Sequence, residues 1–267
     1  ILKVLSDTMK ILITGSNGML GHDLAEVLGD SHELILTTSK TLDITDEKQV
    51  MDAICENNPD IVINSAAYTN VDGCEENREL AYSVNSDGVK NLALACRKID
   101  CALVHISTDY IFNGKNTRPW VECDEICPLS VYGKSKLKGE EAIQKILDKY
   151  FILRTAWLYG INGRNFPKTI LELAKKHSEI RVVYDEVGTP TYALDLARAI
   201  SQLIETGYYG IYHLTNSGSC SWCEFARYIF EIAEIDVDVI PVTASEYARP
   251  APRPSYSVLE NRNWVEK

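Results

Sequence analysis

No stretch of this chain approaches the ~20 consecutive apolar residues needed to cross a bilayer. The leader Ile1 to Thr8 is short and mixed, with neither the apolar core nor the cleavage pattern of a signal peptide, and Met9 reads as the natural start. The expected location is therefore the cytoplasm. Positive charge is scarce: 27 Lys and Arg stand against 38 Asp and Glu, a formal net charge of -11. Nucleic acid and anionic membrane both reward clustered cations, so neither is expected as a partner. An anionic small ligand stays open, provided that local donors or helix N-termini hold it. Among eight cysteines, Cys220-Ser221-Trp222-Cys223 is the one C-x-x-C, and Cys123 and Cys127 form only a looser pair. A structural zinc site wants two such pairs at fixed separation, and a domain of this size needs no disulfide staples. Reduced thiols and no metal are expected. Internal repeats and low-complexity blocks are missing too.

What is present is a chain of 267 residues, 45% hydrophobic, long enough to bury one large core or two small ones. Lys10 to Thr14 is a β-branched run that ends at a glycine turn, and an amphipathic helical pattern follows with Leu20, Leu24, Val27 and Leu28 on one stripe. Further strands are expected at 34–38, 61–64, 102–106 and 151–153. Helices are expected after the cap Asp46, over 80–99, and from the 132–136 motif to Leu147. Strands that alternate with helices, each a near-continuous apolar run, argue for a parallel sheet covered on both faces. Past Trp157 the rhythm loosens into helices near 170–176, 194–205 and 224–233 and short strands near 180–184 and 211–214. Residues 248–257 hold three prolines and must be loop or extended chain. The expected fold is α/β: a Rossmann-type doubly wound parallel sheet over 9–157, with a smaller α+β substrate-binding portion over 158–267 that can interleave with the first. No closing helix is expected at Asn263 to Lys267.

Three stretches carry chemistry. Gly15, Gly18 and Gly21 lie between the first strand and the first helix, where backbone N–H groups and a helix N-terminus can receive a pyrophosphate. The end of the second strand, Thr37-Thr38-Ser39-Lys40, offers small hydroxyls and a lysine but no acid until Asp43, which leans towards a 2′-phosphate. The end of the fourth strand gives Ser107-Thr108-Asp109-Tyr110, with a hydroxyl placed to meet the oxygen of a reacting carbonyl. In Tyr132-Gly133-Lys134-Ser135-Lys136, a phenol and an ammonium four apart share one helix face. An ammonium beside a phenol is expected to lower the tyrosine from its ordinary value of about 10.

Together these stretches resemble the extended short-chain dehydrogenase/reductases, Rossmann-fold enzymes that often act on nucleotide sugars. The resemblance covers Lys10 to at least Arg154 and takes in Asn64-Ser65-Ala66-Ala67 and Asn85-x-x-Gly88-x-x-Asn91. Further matches at Arg154-Thr-Ala-Trp-Leu-Tyr159, Gly188-Thr-Pro-Thr191 and Arg253-Pro254-x-x-Ser257 narrow it within that family, in order over nearly the whole chain. It implies a triad of Thr108, Tyr132 and Lys136. For the dinucleotide, NADPH or NADH, it implies Gly15, Asn17, Gly18, Met19, Leu20, Gly21, Thr38, Ser39, Asp43, Ile44, Ala66, Ala67, Tyr68, Thr69 and Ile106, with Tyr132 and Lys136. For a nucleotide-sugar substrate it implies Thr108, Asp109, Tyr110, Trp157 and Arg253; Arg249 is a second candidate for the diphosphate. The implied activity is reduction of the C4 ketone of dTDP-4-dehydro-L-rhamnose to dTDP-L-rhamnose. A homodimer is compatible with the resemblance. Some relatives are magnesium-linked dimers using three glutamates, but the two matching positions here are Asp23 and Asp195, so no metal is expected. The alternatives left open are a nucleotide-sugar epimerase or dehydratase, and a non-catalytic NADP-binding regulatory subunit of methionine adenosyltransferase.

Overall fold

The computed structural model describes residues 8–267; the leader reading, apart from Thr8, lies outside the described residues. The first half alternates as the apolar runs require. β1 (Lys10–Thr14), α1 (Met19–Gly29), β2 (Glu33–Leu36), α2 (Glu47–Asn57) and β3 (Ile61–Asn64) come first. Two short helices, α3 (Val71–Glu76) and α4 (Arg78–Tyr82), lead through a π-helical turn at Ser83–Asp87 into α5 (Gly88–Ile99). β4 (Ala102–Thr108), α6 (Val131–Ile146) and β5 (Tyr150–Thr155) complete this half. The second half holds β6 (Leu158–Tyr159), α7 (Phe166–Ala174), β7 (Glu179–Val183), β8 (Val187–Gly188), β9 (Thr191–Tyr192) and α8 (Ala193–Leu203). It ends with β10 (Gly210–His213), β11 (Cys220–Ser221), α9 (Trp222–Ile232), β12 (Asp238–Val242) and α10 (Arg262–Glu266).

The main sheet is parallel throughout, in the order β10-β5-β4-β3-β1-β2. Strand side chains alternate between faces. Ile11 and Ile13 thus join Leu24 and Leu28 of α1 and Leu196 and Ile200 of α8 on one side. Leu12 and Val62 join Val50 and Ile54 of α2, Leu92 of α5 and Ile143 of α6 on the other. Each such side chain contributes about 1.5–3 kcal/mol by leaving water. Strand order reverses at β1, so a crevice opens outside the carboxyl ends of β1 and β3.

Several boundaries differ from those expected. The helix expected over 80–99 is broken by the π turn at Ser83–Asp87. There Asn85 reaches across to Tyr68, accepting from its N–H (2.9 Å) and donating to its carbonyl (3.0 Å), and also donates to Ser135 Oγ (3.1 Å). That side-chain bridge ties the β3 loop to α6. β4 runs two residues beyond the expected 106, carrying Thr108 to the sheet edge. A short closing helix, α10, stands where none was expected; Asn263 anchors it by donating to Ile211 O (2.8 Å) and Glu122 Oε1 (3.1 Å). The segment 158–267 crosses between two bodies. Its α8 and β10 complete the first core, while α7, β7, α9 and β12 enclose a separate core of Ile170, Ile180, Val182, Ala226 and Phe230. Among the described residues no helix is long and apolar enough to cross a membrane.

Candidate active site

Four chain segments meet at the crevice, and each is shaped by local rules. Gly15 holds φ +66, and a Cβ there would lie 2.8 Å from Ala66 N, so the turn admits only glycine. A Cβ on Gly21 would strike Gly15 O, which lets α1 start hard against the turn. Gly18 is the α1 N-cap; among the described residues no side chain caps the helix, and no acid stands in its first turn. The first N–H groups of α1 therefore face the cleft as an anion site, which fits a dinucleotide pyrophosphate.

Opposite the turn, Ser130 caps α6 by accepting from Gly133 N (3.2 Å). A Cβ on Gly133 would collide with Tyr110 O, so the helix sits directly on the turn that follows β4. This brings Tyr132 edge-on to Tyr110, with ring centroids 5.5 Å apart. The Thr108 hydroxyl accepts from Tyr110 N (3.2 Å) and donates to Asp109 Oδ1 (3.1 Å), and it lines the same cleft as the Tyr132 phenol. Asp109 is buried, and burial pushes its carboxyl up to about 6 against the Ser257 and Thr108 hydroxyls.

Lys136 lies one turn deeper than Tyr132. It is fully buried, and its Nζ donates to Ile106 O (2.5 Å) with His105 Nε2 at 3.3 Å. Burial lowers the lysine to about 8, against the opposing pull of Glu140. The expected depression of the tyrosine is not what this geometry produces. Desolvation raises the Tyr132 phenol above its ordinary value, outweighing the Thr108 hydrogen bond, because Lys136 is turned to β4.

The cleft bounded by these segments measures about 640 Å³. Its far wall is Trp157, stacked on Trp222 at 3.5 Å and 8°. Trp157 takes φ +47, an uncommon conformation for a bulky residue, and a Cβ on Gly188 would collide with its indole. At the mouth the C-terminal segment is strapped to α3. Arg253 donates bidentately to Asp72, Nη2 to Oδ2 at 2.8 Å and Nη1 to Oδ1 at 3.0 Å. Arg249 donates to Glu186.

A glycine turn, a buried lysine and paired hydroxyls on one cleft agree with the comparisons. Residues 9–267 match the family model described as the RmlD substrate binding domain. The chain belongs to the dTDP-4-dehydrorhamnose reductase family. A dTDP-4-dehydrorhamnose reductase of Mycobacterium tuberculosis is 40% identical, over 96% of this chain and 86% of that protein. The crystal structure of the Bacillus anthracis reductase in complex with NADP is 44% identical, with a TM-score of 0.93 over 95% of this chain and 91% of that one. The Clostridium acetobutylicum reductase structure is 49% identical, with a TM-score of 0.94 over 97% and 92%.

Of the positions that the family resemblance implied, Gly18, Met19, Leu20, Gly21, Ala67, Thr69, Ile106, Thr108, Asp109, Tyr110, Tyr132, Lys136 and Trp157 line the cleft together. Gly15 and Ala66 lie behind the turn, where Ala66 N donates to Asn64 Oδ1 (3.2 Å). Tyr68 is engaged by Asn85. Asn17 and Ser39 are exposed and Thr38 is half-buried, the last two just past the end of β2. Asp43 accepts from Thr45 N and Oγ1 in a local turn, and Ile44 is buried against Gly88. Arg253 stands off the lining, held by Asp72. Sequence reasoning missed Trp222, Arg164, Thr155 and Ser65, all on the cleft wall. Trp222 sits inside the C-x-x-C, where the cysteines drew the reading. The eight cysteines are free thiols, Cys223 buried and Cys220 half-buried.

Proposed function

We propose that this chain reduces the C4 ketone of dTDP-4-dehydro-L-rhamnose to dTDP-L-rhamnose with NADPH or NADH. The observation that carries the reading is that Thr108, Tyr132 and the N-terminal turn of α1 line one cleft. Bound NADPH or NADH would supply the hydride for the sugar C4. Charge grows on the ketone oxygen as the hydride arrives, so donors aimed there act in the transition state rather than on the ground state. Tyr132 is the candidate acid because its phenol is protonated at neutral pH and lines the cleft. Burial raises its pKa and opposes proton release, so the charge growing on the ketone oxygen has to draw the proton. Thr108, by turning its one hydroxyl hydrogen from Asp109 Oδ1 to the same oxygen, orients it. Lys136 and the α1 N–H groups would hold the ribose and pyrophosphate of the dinucleotide. Trp157 and Trp222 offer the sugar a flat apolar face, and Tyr110 borders it.

Nicotinamide absorbance tests this with dTDP-4-dehydrorhamnose, run separately with NADPH and NADH. Stoichiometric cofactor oxidation is expected; turnover without net oxidation would mark an epimerase. Tyr132→Phe should lower kcat by roughly a hundred- to ten-thousand-fold, the usual share of a general acid, and leave cofactor Kd within about twofold. Near-normal turnover in that variant would overturn the role given to Tyr132.

A further inference from the structure

His105, on β4 and wholly buried, belongs to none of the motifs above, yet it contacts Lys136 directly. Its Nδ1 lies 3.0 Å from Asn64 Nδ2, and its Nε2 lies 3.3 Å from Lys136 Nζ. The orientation of the Asn64 amide is decided by its other neighbours. Ala66 N, which can only donate, is 3.2 Å from Asn64 Oδ1, and Thr14 Oγ1 donates to the same oxygen at 2.6 Å. The amide nitrogen must therefore face the imidazole and donate to Nδ1. A neutral imidazole that accepts at Nδ1 carries its hydrogen on Nε2, and that N–H points at the lysine.

Lys136 Nζ also donates to Ile106 O. An ammonium has three hydrogens and no lone pair, so against it the Nε2–H would be donor facing donor. Moving the imidazole hydrogen to Nδ1 only shifts the clash to the Asn64 amide. With a neutral amine the conflict disappears: the Nζ lone pair accepts from Nε2–H, one N–H still donates to Ile106 O, and one is left over. Buried donors that lack acceptors are costly, so the network favours the amine.

We propose that His105 is a positioning residue for the reduction: held by Asn64 in the Nε2–H form, it biases Lys136 towards the neutral amine and fixes the direction of Nζ. The proton balance then closes. The Tyr132 phenol gives its proton to the sugar oxygen, a protonated Lys136 returns one to the phenolate by way of a bridging water and becomes the amine, and a further proton from solvent restores the ammonium. Only this last use rests on the proposed function; the bias itself does not. The other titratable groups around Lys136 do not substitute for His105. Glu140 on α6 is occupied by Arg154 of β5 and Ser107 of β4. Glu75 of α3 accepts from Val131 N. Cys74 of α3 and Asp109 bear on Tyr132 instead. Across the π turn stand Asn85 and Ser135, which carry no charge.

The test is an NMR titration of the Lys136 side chain in protein carrying labelled lysine, without substrate, so that it reads out whatever reaction the chain catalyses. The wild-type midpoint should lie near 8. His105→Gln offers Nζ a carbonyl acceptor, and Asn64→Asp offers Nδ1 an acceptor and so turns a lone pair of His105 towards the lysine. Both should raise the midpoint by about one unit or more, the scale of one buried hydrogen-bond conflict. In turnover, the alkaline limb of kcat/KM should move up by the same amount. An unmoved midpoint in either variant, with thermal melting showing it folded, would overturn the proposal; should His105→Gln not fold, Asn64→Asp decides alone.

Discussion

Two buried carboxylates flank the β4–α6 junction, Glu140 and Asp109, and they are treated in opposite ways. Glu140 is complete. Oε1 accepts from Ser107 Oγ and Arg154 Nε (3.2 Å), Oε2 accepts from Arg154 Nη2 (2.7 Å), and Arg154 Nη1 donates to Glu122 O (3.1 Å). Neither side chain of the pair has any exposure. Asp109 is nearly as buried, but among the described residues its only well-formed hydrogen bond from a side chain comes from the neighbouring Thr108, and its Oδ2 has no partner of good geometry. A charge that is fully matched locks structure; one left partly unmatched beside a cleft stays free to change state. The first pins β4, β5 and α6 together under the site, and the second lies within it.

The comparison breaks most visibly at Glu140. Glu140→Gln leaves the buried Arg154 guanidinium uncompensated, which should cost about 3–5 kcal/mol in urea denaturation. A loss below about 1 kcal/mol would show that Arg154 is matched by other groups. Asp109→Asn should act the other way. The folded-state pKa of Asp109, about 6, lies above its ordinary value of 3.8. The native chain therefore binds the proton first as pH falls, so this group's contribution rises from pH 7 down to about 4 and is lost as pH climbs through 6. Asparagine keeps the shape without the charge. At pH 8 the variant should be more stable than the parent, by up to about 3 kcal/mol, and the gap should close near pH 4. A variant no more stable at pH 8 would mean that Asp109 is better solvated than its burial implies.

The same contrast shows how much could be read from the chain. The glycine turn, the strand ending in Thr108 and the helix bearing Tyr132 and Lys136 were legible because each is local: a strand, a turn and a helix phase written in a few residues. That Gly210–His213 would return to the first sheet beside β5 was not legible, since its short apolar run fits either body equally. Lys136 was placed correctly on its helix face, but its effect on Tyr132 was not, because burial depth is set by α3, α5 and β4 together. Trp222 reaches the cleft only through its stack on Trp157, at a distance of 65 positions in sequence that no motif spans. His105 looked like any strand residue until Asn64 and Lys136 were brought to its two ring nitrogens.

A third carboxylate, Asp72, sharpens the contrast at its weak end. Like Glu140 it accepts guanidinium hydrogen bonds, here two from Arg253, and these hold its pKa below the usual carboxylate range. Its side chain is 36% exposed, however, so solvent screens the pair. Because the folded-state pKa is depressed, the stabilisation is present above about pH 4 and is lost as pH falls through that depressed value. After screening it should amount to about 1 kcal/mol or less. Asp72→Asn is accordingly expected to flatten the acid limb of stability slightly and to leave melting at pH 7 almost unchanged. Its larger consequence should be local: the segment 248–257, strapped to α3 by this pair, should be cut faster by protease at neutral pH while the sheet stays protected. Should Asp72→Asn destabilise the whole fold as much as Glu140→Gln, geometry rather than burial would be what separates a structural ion pair from a latch.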